Sequence, residues 1–217
     1  MKSLLIFDLD GTLLNTIADM AVSTNYALNL CGFATHETDN YKFYIGNGIN
    51  KLFERVLPEG EKTEDNILKV RQIFLDHYGT NNTNLTSPYS GISDLLKELQ
   101  NRGFKLAVAS NKYHAATQKL IQHYFPEIEF IAVFGHREGI PTKPNPRIVN
   151  DILSIAKVEN NEVLYIGDSG VDMQTAQNAG VDACGVTWGF RPRAEMETFS
   201  PKYMVESASE ILTIALQ

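Results

Sequence analysis

Two aspartates separated by one residue follow a short apolar segment near the start of the chain. Leu4–Phe7 has the apolar character of a buried strand, and Asp8 and Asp10 come directly after it. Because side chains alternate along a strand, both carboxylates are expected on one side, at the strand end where open α/β sheets hold ligands. Carboxylates about 4 Å apart repel each other unless a proton or a cation lies between them. The pair therefore predicts a functional site, although Asp-x-Asp alone also occurs in solvated turns.

A second pair of aspartates follows another apolar segment. Asp168 ends the run VLYIGD, and Asp172 stands four residues later, near the start of a predicted helix. If the two strands are neighbours, Asp168 joins Asp8 and Asp10 in an all-oxygen cluster, which suits Mg²⁺ better than zinc. Asp172 has an equally good structural explanation, because the helix dipole stabilises an acid in the first helical turn.

Polar residues at two further junctions could bind phosphate. Ser110 and Asn111 end the run LAVASN and offer hydroxyl, amide and backbone donors where the next helix is expected to begin. Lys143 lies in the loop GIPTKPNP, whose prolines restrict the backbone and hold the ammonium in place. Taken singly, the first feature is typical of a turn or helix cap and the second of a surface lysine.

The four junctions together carry a consistent set of chemical groups. They supply a carboxylate nucleophile, a second carboxyl that transfers protons, a metal site, a lysine and a phosphate cradle. This is the equipment for phosphoryl transfer through an aspartyl-phosphate.

These residues need an α/β framework to bring them together. Apolar runs without polar alternation predict buried parallel strands, and amphipathic segments predict the helices between them. The predicted strands are Leu4–Phe7, Lys105–Ser110, Phe130–Gly135 and Val163–Asp168, and the predicted helices are Gly91–Arg102, His114–Tyr124, Asn145–Ala156 and Asp172–Ala179. The alternation predicts a doubly wound α/β fold with a parallel sheet.

Residues 16–87 interrupt this alternation. They contain helical patterns at Ile17–Leu30, Glu37–Tyr44, Ile49–Val56 and Thr63–Tyr78 and no convincing strand. A stretch of this length is too long for a single crossover, so it predicts a small all-helical domain inserted after the first strand. The core domain then comprises residues 1–15 and 88–217. The alternative is that these helices extend the main helical layer.

Composition and charge exclude several classes of protein. The 217 residues are 43% hydrophobic and carry a formal net charge of −7, which disfavours binding to a nucleic-acid backbone. No apolar run approaches the roughly 20 residues that span a bilayer. The two cysteines, Cys31 and Cys184, lack metal-ligand spacing and predict free thiols in a reducing cytoplasm. We therefore expect a cytoplasmic protein with no nucleic-acid or membrane partner, and the sequence leaves the oligomeric state open.

The motifs FDLDGTL, VASN, TKPNP and GDSGVD resemble, in order, the four motifs of the haloacid dehalogenase-like hydrolases. The helical insert is similar to the cap domain of that family. The resemblance implies that Asp8 attacks phosphorus and that Asp10 protonates the leaving oxygen and then activates water. It also implies Mg²⁺ as cofactor, held by the Asp8 carboxylate, the Asp10 backbone carbonyl and Asp168.

The remaining site residues follow from the same resemblance. Ser110, the Asn111 amide and Lys143 would hold the transferred phosphoryl group. Asp172 would support Lys143 or a metal-bound water. Asp10 favours a phosphatase, because dehalogenases of the superfamily lack this second aspartate and phosphonate hydrolases replace it.

Three segments are similar to the phosphoglycolate phosphatase branch: YIGNG, the SNK that includes Lys112, and VTWGFR. Gly46 and Gly48 in the first segment could let bare backbone approach a small substrate, or could simply form a turn. Where that branch often has an arginine before the glycine loop, this chain has Lys42. Gly46, Gly48 and Lys42 are predicted to contact a small phosphorylated metabolite.

Other functions remain open on the sequence alone. A pyrophosphatase, a phosphatase of sugar or nucleotide phosphates, and a β-phosphoglucomutase-like phosphotransferase share the motifs. A non-catalytic regulator that binds a phosphorylated ligand belongs to a different class. It would be expected to have lost a catalytic carboxylate or the lysine, and all of these are present.

Overall fold

The computed structural model describes residues 2–217, which form a parallel sheet flanked by helices and a helical segment beside it. The elements in chain order are β1 (Leu4–Phe7), β2 (Leu14–Asn15), α1 (Ile17–Leu30), α2 (Tyr41–Tyr44), α3 (Ile49–Val56), α4 (Glu64–Asn81), β3 (Ser87–Pro88), α5 (Ile92–Asn101), β4 (Lys105–Tyr113), α6 (His114–Tyr124), β5 (Phe130–His136), α7 (Arg147–Ala156), β6 (Val163–Gly167), α8 (Gly170–Ala179), β7 (Asp182–Val186), α9 (Arg193–Glu197), β8 (Tyr203–Val205) and α10 (Ala208–Ala215).

The main sheet has six parallel strands in the order β5-β4-β1-β6-β7-β8. This order confirms the predicted doubly wound α/β fold. Strand β1 is central and fully buried; Leu5 and Phe7 pack in one hydrophobic cluster, and Leu4 and Ile6 in the cluster on the other face. Because helices cover both faces, the strand is apolar throughout.

Helices α1 to α4 pack around a third hydrophobic cluster, which includes Leu28, Phe53 and Phe74 and also takes in Ala116 and Phe190 from outside the segment. The chain enters and leaves this segment through adjacent strands, because β2 and β3 pair antiparallel, Leu14 with Pro88 and Asn15 with Ser87. Hydrogen bonds also join the two ends of this segment, since the backbone N–H groups of residues 85 and 86 donate to the Asp19 carboxylate in α1. The division into core and cap domains at these positions stays a prediction.

The structure differs from the sequence-based expectation at the end of β4. The strand continues to Tyr113, and α6 begins at His114, so Ser110 and Asn111 lie in the strand and not at a helix start. The pairing of β4 with β5 is irregular between Ala109 and Tyr113. Gly135 of β5 permits this path, because a Cβ there would lie 2.4 Å from the backbone oxygen of residue 112.

Strands β7 and β8 and helices α9 and α10 were not predicted. Strand β7 reads DACGV and β8 has three residues, and neither provides the long apolar run that predicts a buried strand. They become strands because β7 pairs with the open edge of β6, and β8 then pairs with β7.

Two further structural facts concern the length of the helices and the two cysteines. Within residues 2–217, no helix has both the length and the apolar character needed to cross a bilayer. Cys31 is partly exposed, Cys184 is buried, and neither forms a disulfide.

Candidate active site

Three carboxylates meet at the carboxyl end of the central strands. Strand β1 pairs with β6, so Asp8 and Asp168 extend from neighbouring strand ends, and Asp172 joins them from the first turn of α8. One carboxylate oxygen from each residue lies within 4.8 Å of the other two. All three residues are at most 7% exposed. The structure thus brings Asp8 and Asp168 together, but the third carboxylate of the cluster is Asp172 and not the predicted Asp10, whose carboxylate contacts Lys112 and Thr16.

The cluster is electrostatically costly without a cation. Burial is the main cause that raises the pKa of Asp8 to about 7; Lys143 opposes the rise, and Asp172 and Asp10 add to it. Burial, followed by the charges of Asp172 and Asp8, holds the pKa of Asp168 well above its usual value. A divalent cation would offset both desolvation and repulsion, and oxygen donors suit a hard ion. The residues present therefore fit a magnesium-like cation.

Lys143 is buried behind this cluster. Its Nζ donates hydrogen bonds to Asp172 Oδ1 at 2.7 Å, the backbone oxygen of Ala109 at 2.9 Å and the Tyr165 hydroxyl at 3.2 Å. Asp8 Oδ1 lies 2.8 Å from the same nitrogen but accepts no well-aligned hydrogen bond. Four acceptors thus surround an ammonium that has three N–H donors, and Asp8 Oδ1 lies directly beside a positive charge.

Asp172 has two structural contacts. Its Oδ2 accepts hydrogen bonds from the Ser169 backbone N–H at 3.2 Å and hydroxyl at 2.5 Å, which completes a capping box at the start of α8. Its Oδ1 accepts the bond from Lys143. The helix-terminal interpretation and the contact with Lys143 are therefore both correct for this residue.

Asp168 is enclosed by backbone. The N–H of Phe190 donates to Asp168 Oδ2 at 2.7 Å. A Cβ at Gly11 would lie 2.2 Å from Asp168 Oδ2, and one at Gly189 would lie 2.2 Å from Asp168 Cβ. The VTWGFR segment therefore forms one wall of the acidic cluster. From its sequence it was only a marker of a family branch.

Asn111 connects two loops at this site. Its Oδ1 accepts from the Lys143 backbone N–H at 2.8 Å, and its Nδ2 donates at 3.2 Å to the backbone oxygens of Lys143 and Gly46. Ser110 beside it is 2% exposed, and its hydroxyl accepts from the backbone N–H of Lys112 at 3.2 Å. Both residues lie next to Asp8, in agreement with the expected position.

A cleft opens between these strand ends and the helical segment. The residues that line it are Asp8, Asp10, Met20, Ile45, Gly46, Gly48, Ile49, Leu52, Phe74, Tyr78, Ser110, Asn111, Lys112 and Tyr113. Its volume is about 50 Å³. Gly46 and Gly48 line this cleft, and their contact with a substrate stays a prediction. Lys42 does not line this cleft, and its ammonium lies 5.1 Å from the ring centroid of Phe43. Its predicted contact with substrate stays a prediction.

Two residues in the cleft were not among the predicted site residues. Lys112 Nζ lies 3.1 and 3.2 Å from the two carboxylate oxygens of Asp10 and 4.7 Å from the ring centroid of Tyr78. Burial by itself lowers the pKa of Lys112, but Asp10 and Tyr78 raise it, and the net shift is upward. Thr16 also donates to Asp10, at 2.7 Å. The SNK segment gave a signal for Lys112, whereas Tyr78 is recognisable only once α4 is placed.

Comparisons with known proteins agree with this arrangement. The sequence profile of the haloacid dehalogenase-like hydrolases matches residues 5–186. The chain belongs to this family. The resemblance inferred from the four motifs is therefore confirmed.

Relatives within the haloacid dehalogenase-like hydrolases match over almost the whole chain. The phosphoglycolate phosphatase of Vibrio parahaemolyticus is 30% identical over 97% of this chain and 95% of its own length. That of Aquifex aeolicus is 30% identical with the same coverage of both chains. A crystal structure described as a predicted phosphoglycolate phosphatase from Haemophilus somnus superposes with a TM-score of 0.91, at 28% identity, over 98% of this chain and 97% of that one. The protein is thus a hydrolase similar to phosphatases of phosphate monoesters.

Proposed function

We propose that this protein is a cytoplasmic phosphatase that hydrolyses a small phosphate monoester through an aspartyl-phosphate on Asp8. The observation that carries the proposal is the state of Asp8. Its Oδ1 lies 2.8 Å from the Lys143 ammonium, accepts no well-aligned hydrogen bond, and belongs to a residue that lines the cleft. A carboxylate nucleophile needs an unblocked oxygen and a nearby positive charge to accommodate an anionic phosphoryl group.

In the first step, an Asp8 oxygen forms a bond to phosphorus and the bond from phosphorus to the leaving oxygen breaks. Asp10 donates its proton to that leaving oxygen, so the alcohol departs neutral. Lys143 lies beside the attacking oxygen and offsets the charge of the phosphoryl group. Ser110 and the backbone N–H of Asn111 are assigned to orient it.

In the second step, water attacks the phosphorus of the aspartyl-phosphate. The Asp10 carboxylate, now deprotonated, takes the proton from that water. The bond between Asp8 and phosphorus breaks, inorganic phosphate leaves, and both aspartates return to their starting states. Lys112 and Thr16 hold the Asp10 carboxylate in position within the cleft.

The metal site is assigned to the carboxylates of Asp8 and Asp168 and the backbone carbonyl of Asp10. When bound, Mg²⁺ neutralises the charge that gathers as phosphate approaches the carboxylates. Asp172 is assigned a supporting role, because Lys143 and Ser169 already use its two oxygens.

The substrate we propose is a small ester of the phosphoglycolate type. This assignment is supported by the relatives, which are named as phosphoglycolate phosphatases. We also propose that residues 16–87 act as a cap, since their residues Gly46, Gly48 and Tyr78 form one side of that cleft. The relatives do not favour a pyrophosphatase or a phosphotransferase, and the retained Asp8, Asp10 and Lys143 do not favour a non-catalytic regulator.

A panel of phosphate esters, each assayed with Mg²⁺ and after EDTA treatment, tests the proposal. We expect phosphate release that depends on added Mg²⁺, and trapping of a labelled aspartyl-phosphate on Asp8 by rapid acid quench. The variant Asp8→Asn is expected to release no phosphate and to trap no label. Undiminished hydrolysis by Asp8→Asn would contradict the covalent mechanism, and binding of esters without turnover would favour the regulator.

A further inference from the structure

One residue in the loop after β7 contacts both the acidic cluster and the helical segment. The backbone N–H of Phe190 donates to Asp168 Oδ2 at 2.7 Å. The Phe190 side chain is buried in the hydrophobic cluster around which α1 to α4 pack. In the part of the chain that the structure describes, every other buried member of that cluster except Ala116 comes from residues 16–87. Phe190 thus joins a proposed metal ligand to the helical segment.

The next residue, Arg191, makes a second contact with the helical segment. Its Nη2 donates to the backbone oxygen of Ile45 at 3.0 Å, at the start of the glycine loop of residues 45–48. A cavity of about 320 Å³ lies between this loop and the start of α8, so packing does not hold the loop on that side. Hydrogen bonds from Arg191 and Asn111 tie it to the sheet domain instead.

The geometry leaves little slack between these contacts. The nitrogen that donates to Asp168 and the side chain that enters the hydrophobic cluster are attached to the same Cα of Phe190. The preceding residue offers no free space beside the carboxylate, because a Cβ on Gly189 would lie 2.2 Å from the Cβ of Asp168. A displacement of the helical segment away from the sheet would therefore draw the Phe190 N–H away from the Asp168 carboxylate.

The hydrogen bond to Asp168 distinguishes this loop from one that only joins two parts of a fold. A purely structural loop would contribute to stability without responding to the metal site. Groups that hydrogen-bond a metal ligand orient that ligand, and their loss usually weakens metal binding by about tenfold to a hundredfold. Phe190 makes such a bond, and its position depends on the helical segment.

We propose that Phe190 and Arg191 are positioning residues that couple the docking of the helical segment to the Mg²⁺ site. With the segment docked, Phe190 holds Asp168 in the orientation that binds the cation. With the segment displaced, Asp168 loses that hydrogen bond and holds the cation less tightly. Because coupling between two sites is reciprocal, bound Mg²⁺ must in turn favour the docked segment. The inference rests on the metal site and the cap proposed above.

Calorimetric titration with Mg²⁺, in the absence of substrate, tests the effect on the metal site. Arg191→Ala removes the hydrogen bond to Ile45 and keeps the Phe190 backbone N–H. We expect its Mg²⁺ dissociation constant to rise at least fivefold, the lower end of the usual range for coupled sites. The direction is diagnostic, because the loss of a nearby positive charge would by itself favour cation binding. Arg191→Lys, which keeps a charge and a donor, should recover most of the affinity.

Phe190→Ala tests the other contact. It keeps the backbone N–H that reaches Asp168 and removes only the ring from the hydrophobic cluster. Its Mg²⁺ dissociation constant should also rise at least fivefold.

Arg193→Ala is the matched control. Arg193 is the first residue of α9, and its side chain donates hydrogen bonds to Glu197 and Glu206, which lie outside the helical segment. The substitution removes the same charge from a position two residues away. It should leave the Mg²⁺ dissociation constant at the wild-type value.

Hydrogen exchange of the backbone N–H groups in α2, the glycine loop and α3, with and without Mg²⁺, tests the reciprocal effect. In the wild type we expect Mg²⁺ to slow this exchange, because the docked segment opens less often. The slowing should be reduced severalfold in Arg191→Ala and in Phe190→Ala, whereas Arg193→Ala should keep it.

The outcomes separate this inference from the proposed function. Wild-type Mg²⁺ affinity in Arg191→Ala overturns the inference, as does exchange in the wild type that Mg²⁺ leaves unchanged, or an equal loss of affinity in Arg193→Ala. If Phe190→Ala does not fold, Arg191→Ala and the exchange experiment decide. A wild-type protein that shows the coupling but hydrolyses no phosphate ester overturns only the phosphatase function. One that binds no Mg²⁺ overturns the metal site and this inference together.

Discussion

Gly189 lies so close to Asp168 that a Cβ on the glycine would be 2.2 Å from the Cβ of the aspartate. The next residue donates its backbone N–H to the same carboxylate. The loop after β7 therefore fixes the Asp168 side chain from two directions. Any side chain at position 189 must displace either the loop or the proposed metal ligand.

Gly189→Ala is therefore expected to raise the Mg²⁺ concentration that gives half-maximal activity. It should also lower turnover by about a hundredfold, since a displacement of about 1 Å has such an effect at a reacting centre. The measurement is activity against Mg²⁺ concentration. Gly79→Ala is the matched control, because a Cβ there contacts nothing within 4 Å. Wild-type Mg²⁺ dependence in Gly189→Ala would show that Asp168 does not hold the metal.

Asp10→Asn removes the proposed proton carrier but keeps the backbone carbonyl and an oxygen that Thr16 can reach. We expect kcat to fall by about a hundredfold to ten-thousandfold with a much smaller change in KM, the usual range for general acid–base assistance. Steady-state kinetics on one ester provide the measurement, and circular dichroism checks the fold. A kcat close to that of the wild type would remove Asp10 from the mechanism.

Removal of metal is expected to abolish activity and Mg²⁺ to restore it. Asp8, Asp168 and Asp172 lie too close together for an anionic phosphoryl group to approach without a cation. Ca²⁺ should bind and support turnover poorly, because its larger and looser coordination shell misplaces the nucleophile. Phosphate release is measured after EDTA treatment and with each ion added back. Full activity in metal-free buffer would refute the metal assignment.

Substitution of the glycine loop is expected to change the order of substrates. Gly46 and Gly48 have φ values of +114° and +85°, so valine at either position strains the backbone and moves the loop along the cleft. Gly46→Val or Gly48→Val should weaken hydrolysis of the preferred ester, while p-nitrophenyl phosphate suffers much less. The assay is kcat/KM across the ester panel. Equal losses on all esters, with the fold intact, would argue against a specificity role.

Asp182 is expected to contribute stability that depends on pH. Its burial opposes ionisation, but hydrogen bonds from Lys2 at 2.5 Å and Lys202 at 2.6 Å outweigh that effect, and the pKa of Asp182 is lowered from its usual 3.8. A group with a lowered folded-state pKa stabilises fully above its unfolded pKa, and this stabilisation is lost as pH falls through the folded value.

Asp182→Asn should therefore lower the free energy of unfolding at pH 7 by about 1.5–3 kcal/mol, the range for hydrogen bonds to charged groups. The difference from the wild type should shrink as the pH falls below 3.8. Urea unfolding at pH 7 and pH 3 measures both values. A difference that is the same at the two pH values would contradict the assigned cause.

The sequence by itself determined the fold class and the main catalytic candidates. Leu4–Phe7 is apolar because both faces of a central strand are covered, and Asp8 follows it because ligands bind at that strand end. Amphipathic periodicity also located helices such as α1 and α3 to the residue. These features are local in the chain, so composition and spacing record them directly.

Tertiary structure alone decided which residues meet in the cleft. Tyr78 is the last residue of the predicted helix Thr63–Tyr78, and nothing in its neighbours along the chain distinguishes it from a core tyrosine. It lines the cleft because α4 packs so that Tyr78, Lys112 and Asp10 border one space. Lys42, by contrast, lies outside the lining of that space, on α2, and its contact with a substrate stays a prediction. Contacts between residues far apart in sequence depend on packing geometry, which residue spacing does not encode.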